Sequence, residues 1–297
     1  MTGGFSPNLL ADIQDMWSYL GILNAFRAGT VVAVLAAAVG WFMVLRRQSF
    51  AGHTLAVAGF PGAAGAVLLG LGVTLGYFTF CVLAALIIAA LPQRDGRRGY
   101  TEEPAIIGTV QAFALAAGML FIALYQGFLN GTNALLFGSF LGITTDQVVT
   151  LALVALVALI ALAVIGRPLL FASIDADVAR AHGVPGRPLG AVFLALLGAT
   201  AAEVSQITGA LLIFALLVLP PATAQLLTPR PARSLALSIG LALITVWVGL
   251  FIAYYSPYPI GFWLTTVAFG LYALTYIGTT VRARTGTRAT VHTPAGA

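Results

Sequence analysis

Few side chains in this chain can do chemistry, and they sit at telling places. His53 lies inside the run RRQSFAGHTLAVAGFPG, residues 46–62, between an arginine pair and a Pro-Gly pair. A neutral imidazole can ligate a transition metal or donate a hydrogen bond. An imidazole and a helix break at Pro61 and Gly62 are both costly in one apolar segment, and such costs mark transport paths. His53 therefore either touches a passing ion or hydrogen-bonds a neighbouring helix. Glu203 is the only acid in its apolar run, with Ser205 and Gln206 beside it. It either draws cations into a mouth or lies among lipid headgroups. Gln111, alone in a third run, lines a path or bridges two helices.

Several chemistries are excluded. A nucleotide-binding P-loop needs a lysine on the phosphates, and all 14 basic residues here are arginine. No H-E-x-x-H or G-x-S-x-G run occurs, and the three histidines, His53, His182 and His292, are far apart in sequence. The single cysteine, Cys81, rules out an intrachain disulfide and a cysteine metal cluster, and reads as a small core residue.

The elements that must position these groups are membrane helices. The chain has 297 residues, 60% hydrophobic and 8% charged, against about 25% charged in a soluble domain. No charge falls between Arg47 and Arg94, Glu103 and Asp146, or Arg233 and Arg282. Each gap holds two spans of roughly 20 residues, and the apolar runs lack the alternation of barrel strands. The fold class is all-α and polytopic, with nine expected passes (eight to nine) at 28–45, 49–71, 74–91, 104–128, 146–166, 189–207, 209–227, 234–254 and 260–281.

The second pass is expected to break at Pro61 and Gly62, and the seventh carries Pro220 and Pro221. Gly59, Gly62 and Gly65 read as close helix contacts. Glu102, Glu103 and Pro104 read as a helix start. Thr144 and Gln147 have capping-box spacing. Residues 129–147 are too apolar for a free loop and too glycine-rich for a clean span, which suits an outer re-entrant half-helix. Residues 1–27 read as an interfacial lead-in, 28–281 as the transmembrane domain and 282–297 as a disordered tail.

Thirteen of the 14 arginines fall in five clusters that alternate with arginine-free connections. That is the positive-inside pattern. The net charge of +5 is a topology signal and implies no nucleic-acid partner. It puts the N-terminus outside, the C-terminus in the cytoplasm, and the polar stretch GRPLLFASIDADVARAHGVPGRP on the cytoplasmic side. Asp175–His182 in that stretch suits a short surface helix stopped by Gly183 and Pro185.

Four motifs in order resemble the ABC-type zinc/manganese (metal-chelate) importer permeases. RRQSFAGHTLAVAGFPG resembles the family run RR-x-SF-x-GD-x-L-x-HA-x-x-PG. LFGSFLGIT resembles the outer half-helix signature. SIDADVARAHGV is similar to the cytoplasmic D-P-E-x-A-x-x-x-G segment, with Asp175, Asp177, Ala179 and Gly183 on its positions. TGALLIFALLVLPPATAQLL resembles VGALLI-x-ALL-x-IPAATA. The likeness spans residues 25–275. The chain departs from the pattern at His53, where many relatives carry Asp, at Val57, where they carry His, and at Ser139, where Asp or Asn is common.

The resemblance implies the membrane subunit of an ATP-driven importer working as a homodimer in the plasma membrane. ATP would be bound by a separate cytoplasmic subunit docked on a coupling helix carrying Asp175, Asp177, Ala179, Arg180 and Gly183. An extracytoplasmic binding protein would deliver zinc or manganese as transported substrate, with no cofactor resident in this chain. His53 is the candidate metal ligand, and Glu203, Gln206, Gln111 and Ser139 are candidates for the path or its gate. The competing readings are a self-contained secondary transporter or channel and a permease for a non-metal substrate. Against the secondary transporter stand the lack of an evident inverted repeat and the near absence of midplane charges.

Overall fold

The computed structural model describes residues 17, 19–90, 99–125, 140, 142–209 and 213–290. Among these residues every regular element is a helix. In chain order they are α1 (Leu20–Leu45), α2 (Ser49–Leu68), α3 (Val73–Ala90), α4 (Gly99–Leu124), α5 (Thr145–Ile174), α6 (Ala176–Ala181), α7 (Gly186–Thr208), α8 (Ile213–Leu217), α9 (Leu219–Leu227), α10 (Pro231–Tyr255) and α11 (Ile260–Thr290). Among the described residues, eight helices are long and apolar enough to cross a membrane; the short pair α8 and α9 makes up a ninth apolar segment.

Lipid tails are as apolar as leucine, so such helices associate by close packing and not by burial from water. The chain meets that demand with small residues. α1 buries Ala25, Ala28, Ala33, Ala36, Ala37 and Ala38 and packs on α5, α7 and α10. α2 is inserted between α3 and α4 and also meets α7. Of the most apolar stretch of α2, 83% is buried, against 11% for α4, so α1, α2 and α7 form the inside of the bundle and α4 its outside. Gly62 and Gly76 bring α2 and α3 into backbone contact, because a Cβ on either would overlap the other's carbonyl oxygen. One Cβ at Gly59 would lie 2.8 Å from the Tyr77 ring, and one at Gly65 3.2 Å from Phe121. The three glycines thus act as close contacts.

Several expected boundaries need correction. The second pass does not break: α2 is helical from Ser49 to Leu68 with Pro61 inside it. Pro61 removes one ladder bond, but neighbouring helices hold its flanks, Gly76 of α3 against Gly62 and Gly118 of α4 against Phe60 and Pro61. The first helix begins at Leu20, inside the expected lead-in. α4 begins at Gly99, about one turn ahead of Glu102 and Pro104. α5 continues past Gly166 to Ile174 with Pro168 inside, and α11 runs to Thr290, into the expected tail. The outer half-helix signature falls mostly outside the described residues, as does Ser139.

Three helix ends share one device. In a Schellman motif the two residues after the cap hydrogen-bond back to the last turn, and the first of them is left-handed. Gly70 after α2 and Gly183 after α6 take that position with φ of 69° and 81°. After α1 it falls to Arg47, with φ of 58°, while Gln48 N–H bonds the Met43 carbonyl at 2.9 Å. For a non-glycine residue that conformation costs roughly 1–2 kcal/mol.

Three of the arginine clusters converge. Arg46 Nη1 donates to Ser173 Oγ at 3.3 Å and its guanidinium lies 5.6 Å from the Phe193 ring centroid. Trp41 Nε1 donates to Ser234 Oγ at 2.9 Å, and Gln225 Nε2 to the Trp41 carbonyl at 3.0 Å. The ends of α1, α5 and α9 and the starts of α7 and α10 therefore meet at one face of the bundle, the arginine face. At the opposite end Asn24 Nδ2 donates to the Ile143 carbonyl at 3.1 Å, tying α1 to the start of α5.

Candidate functional site: an interrupted helix against His53

The seventh pass is where the bundle gives up helical regularity. α7 ends at Thr208, and Gly209 takes φ 76° and ψ 158°, a region open essentially only to glycine. Beyond residues 210–212, which lie outside the described residues, α8 spans Ile213–Leu217, Val218 forms a one-residue turn, and α9 begins at Leu219. Val218 has φ −114°. From Ile213 to Leu227 the described helical rise covers about 22 Å.

Pro220 and Pro221 explain the interruption. Neither has an N–H, so the carbonyls of Leu216 and Leu217 lose their donors four residues on. In the first turn of α9 the prolines remove only donors that a helix start leaves free. The Leu217 carbonyl turns to α1, where Gly40 makes room: a Cβ there would overlap the oxygen. A side chain at Gly52 of α2 would fall 3.4 Å from Leu217 Cδ2.

His53 is one residue further along α2. Its ring stands edge-on to Phe214 of α8, with centroids 5.7 Å apart. Its Nδ1 is buried and has no hydrogen-bond partner among the described residues. Val57, one turn on, is buried and supplies no ligand. The structure thus joins two features that sequence read separately, the α2 histidine and the di-proline segment. Phe214 was missed because in sequence it is one aromatic among many apolar residues.

The remaining candidates lie elsewhere. Gln111 Oε1 accepts from Thr54 Oγ1 at 3.1 Å, so Gln111 ties α4 to α2; such interhelical bonds contribute about 0.6 kcal/mol. Gln206 Oε1 accepts from Thr74 Oγ1 at 2.8 Å, joining α7 to α3 at the end opposite the arginine face. Glu203 is fully buried, and neither carboxylate oxygen has a partner among the described residues. A headgroup-facing acid is therefore ruled out for this conformation. Thr54 and Thr74 escaped sequence reading because threonine is common in membrane helices and its partners lie 57 and 132 residues away.

α6 has its own logic. Asp175 accepts from the N–H groups of Asp177 and Val178 at 3.1 and 3.0 Å, a full N-cap. Asp177 pairs with Arg180 at 2.7 Å, both side chains largely in solvent. Ala179 is the buried residue, and Gly183 ends the helix. Phe171 and Val178 present apolar surface beside it. His182 Nδ1 lies 2.9 Å from the Val178 carbonyl. Arg46, beyond the end of α1, is lowered from its ordinary value by burial, but a guanidinium keeps its proton in proteins. Among the described residues no three metal-ligating side chains come together.

A buried bundle of tightly packed apolar helices, eight of the described ones long enough to cross a membrane, defines a polytopic membrane protein. The chain belongs to the ABC 3 transport family, whose profile matches residues 18–279. It is 30% identical to the chelated iron transport system membrane protein YfeC of Yersinia pestis, over 83% of this chain and 82% of that one. It is 28% identical to the manganese transport system membrane protein MntC of Halalkalibacterium halodurans, over 91% of each. Among solved structures it resembles a chain of PsaBC from Streptococcus pneumoniae in complex with Fab. The TM-score is 0.80 at 26% identity, covering 90% of this chain and 95% of that one.

Proposed function

We propose that this chain is the membrane subunit of an importer driven by ATP and that it moves a divalent metal ion into the cytoplasm, with manganese or zinc as substrate. Relatives named for manganese transport support the substrate class. The observation that carries the reading is the interrupted seventh pass packed on the His53 turn. Irregular backbone at membrane depth is tolerated where it lies against protein or lines a cavity. A segment with freed carbonyls, packed through Phe214 on an imidazole, can shift between two packings.

In this reading the arginine face is cytoplasmic, the N-terminus lies outside, and two copies surround a central path in the plasma membrane. A separate ATPase subunit docks on α6 and the apolar surface beside it. The N-cap and the glycine stop keep that helix rigid, so that a push on it reaches α5 and α7. An extracytoplasmic protein delivers the ion. ATP binding and hydrolysis on the partner change which side of the path is open, and no covalent step occurs in this chain.

The test is total manganese, zinc, iron and cobalt in cells lacking the chain, re-supplied with wild type or Asp177→Arg. Wild type is expected to restore one metal, and Asp177→Arg to fail at normal membrane levels. If no metal depends on the chain, the substrate reading is wrong.

A further inference from the structure

One guanidinium on the arginine face joins parts of three helices. Arg46 follows α1, and the link from there to α2 is only three residues long. Arg47 N–H bonds the Val44 carbonyl and Gln48 N–H the Met43 carbonyl, so the link has little slack. The Arg46 side chain reaches two ways across it. Its Nη1 donates to Ser173 Oγ at the end of α5, and its Nε donates to Gln48 Oε1, at the cap of α2, at 3.2 Å. The guanidinium sits over the Phe193 ring of α7. A half-buried charge is costly without a carboxylate, and among the described residues none pairs with Arg46; Asp177 pairs with Arg180 instead. The acceptors that Arg46 does have lie on separate elements. A rigid planar fork suits that use, where an ammonium offers only a point charge.

The two acceptors stand at the roots of the two elements that matter for transport. Ser173 lies two residues before Asp175, and Asp175 both ends α5 and caps α6. The Ser173 hydroxyl is fixed by donating to the Leu169 carbonyl, which leaves a lone pair for Arg46. Pro168, inside α5, removes the N–H that would bond the Val164 carbonyl. The end of α5 is therefore joined to the rest of its helix by a weakened ladder, and with α6 it forms a unit that can tilt against the bundle. On the other side, the Gln48 carbonyl takes the Gly52 N–H at 3.0 Å, and His53 is the next residue. α2 packs on α3, α4 and α7 but has no extended contact with α5. The Arg46 side chain bridges that gap.

We propose that Arg46 is a positioning residue for transport, relaying a displacement of α6 to the start of α2 and so to the contact of His53 with Phe214 at the interrupted pass. A push on α6 shifts Ser173. The guanidinium, steadied over Phe193, passes that shift to Gln48, and a rigid helix carries it to His53, five residues on. In this role Arg46 acts through α2 and needs no contact with ion or nucleotide. The use of the relay in transport rests on the importer reading above; the mechanical link itself does not.

The experiment has two arms. The first uses the purified full chain alone in lipid nanodiscs: Asp175→Ala loosens the root of α6, and amide hydrogen exchange is read at residues 52–55. In the otherwise wild-type chain, exchange there is expected to quicken by at least about twofold, the lower end of what coupled positions show. With Arg46→Gln or Ser173→Ala already in place, adding Asp175→Ala should leave that exchange unchanged. Ser173→Thr keeps a hydroxyl and should preserve the response. An Arg46 that merely stabilises its surroundings would alter the baseline exchange in Arg46→Gln and leave the response to Asp175→Ala intact. That result, or no response in the wild-type background, overturns the proposal. The second arm measures manganese taken up per ATP hydrolysed in proteoliposomes with the ATPase partner. The ratio should fall at least about twofold in Arg46→Gln and hold in Ser173→Thr; an unchanged ratio in Arg46→Gln also overturns the proposal. If the wild-type assembly moves no manganese, the importer reading fails, and the exchange arm still decides the link.

Discussion

The contact between Gly62 and Gly76 is the sharpest place to test how this bundle is held. In an exposed helix, glycine to alanine is favourable by up to about 1 kcal/mol, from propensity alone. A Cβ added at Gly240 of α10 would meet nothing within 4 Å, so Gly240→Ala should be neutral or slightly stabilising. At Gly62 the added methyl meets the Gly76 carbonyl and lies 2.7 Å from Phe80 Cβ. A backbone carbonyl and a Cβ cannot rotate away. α2 and α3 must separate, and overpacking of this kind costs roughly 1–3 kcal/mol. Gly76→Ala should cost a similar amount for the reciprocal reason. The double variant should cost less than the sum, with a coupling of about 0.5–3 kcal/mol, because either methyl already forces the helices apart. The assay is thermal unfolding of the purified chain in nanodiscs. If Gly62→Ala melts with Gly240→Ala at or above wild type, the close α2–α3 packing is wrong.

Three further outcomes are expected. Trp41→Phe leaves the Ser234 hydroxyl buried without its donor and should lower stability by about 1–3 kcal/mol, with Ser234→Ala adding little on top in a melting cycle. Asp175→Ala removes the two bonds that start α6 and should cost about 0.5–2 kcal/mol of local helix stability. With the ATPase partner present, it should reduce transport-coupled ATP hydrolysis at unchanged membrane level. Arg47→Gly relieves the left-handed residue after α1 and should raise the unfolding midpoint, whereas Arg47→Val should lower it.

Much of this architecture is written in local chemistry. The Thr144–Gln147 capping box forms as its spacing demands, with both reciprocal bonds present. Asp175 caps α6 and Gly183 ends it, because a short carboxylate and a residue without Cβ are what those backbone positions need. Among the described residues the Arg46/Arg47, Arg167/Arg180/Arg187 and Arg230/Arg233 clusters lie at one face because the helices between them alternate in direction.

What sequence misread was long-range. Pro61 looks like a break, but it lies in a helix clamped by two neighbours, where one missing hydrogen bond is tolerated. Pro220 and Pro221 do accompany an interruption, since two adjacent prolines free two carbonyls and α1 offers Gly40 to receive one. The difference between these prolines lies in the packing around them. The same holds for Glu203: a single acid near a helix end reads equally as an interfacial group until its burial is known. The pairing of Gln206 with Thr74 and of His53 with Phe214 needs the fold, because no local rule links residues more than a hundred positions apart.

The most direct test of the central claim is ATP-dependent uptake of radioactive manganese into proteoliposomes holding this chain with its ATPase partner, metal-binding protein supplied on the side opposite ATP. Uptake that needs ATP hydrolysis, is lost in Asp177→Arg and is reduced in His53→Ala is the expected result. Manganese that enters at the same rate without ATP, or fails to enter when the assembled complex hydrolyses ATP, would contradict a metal importer driven through α6.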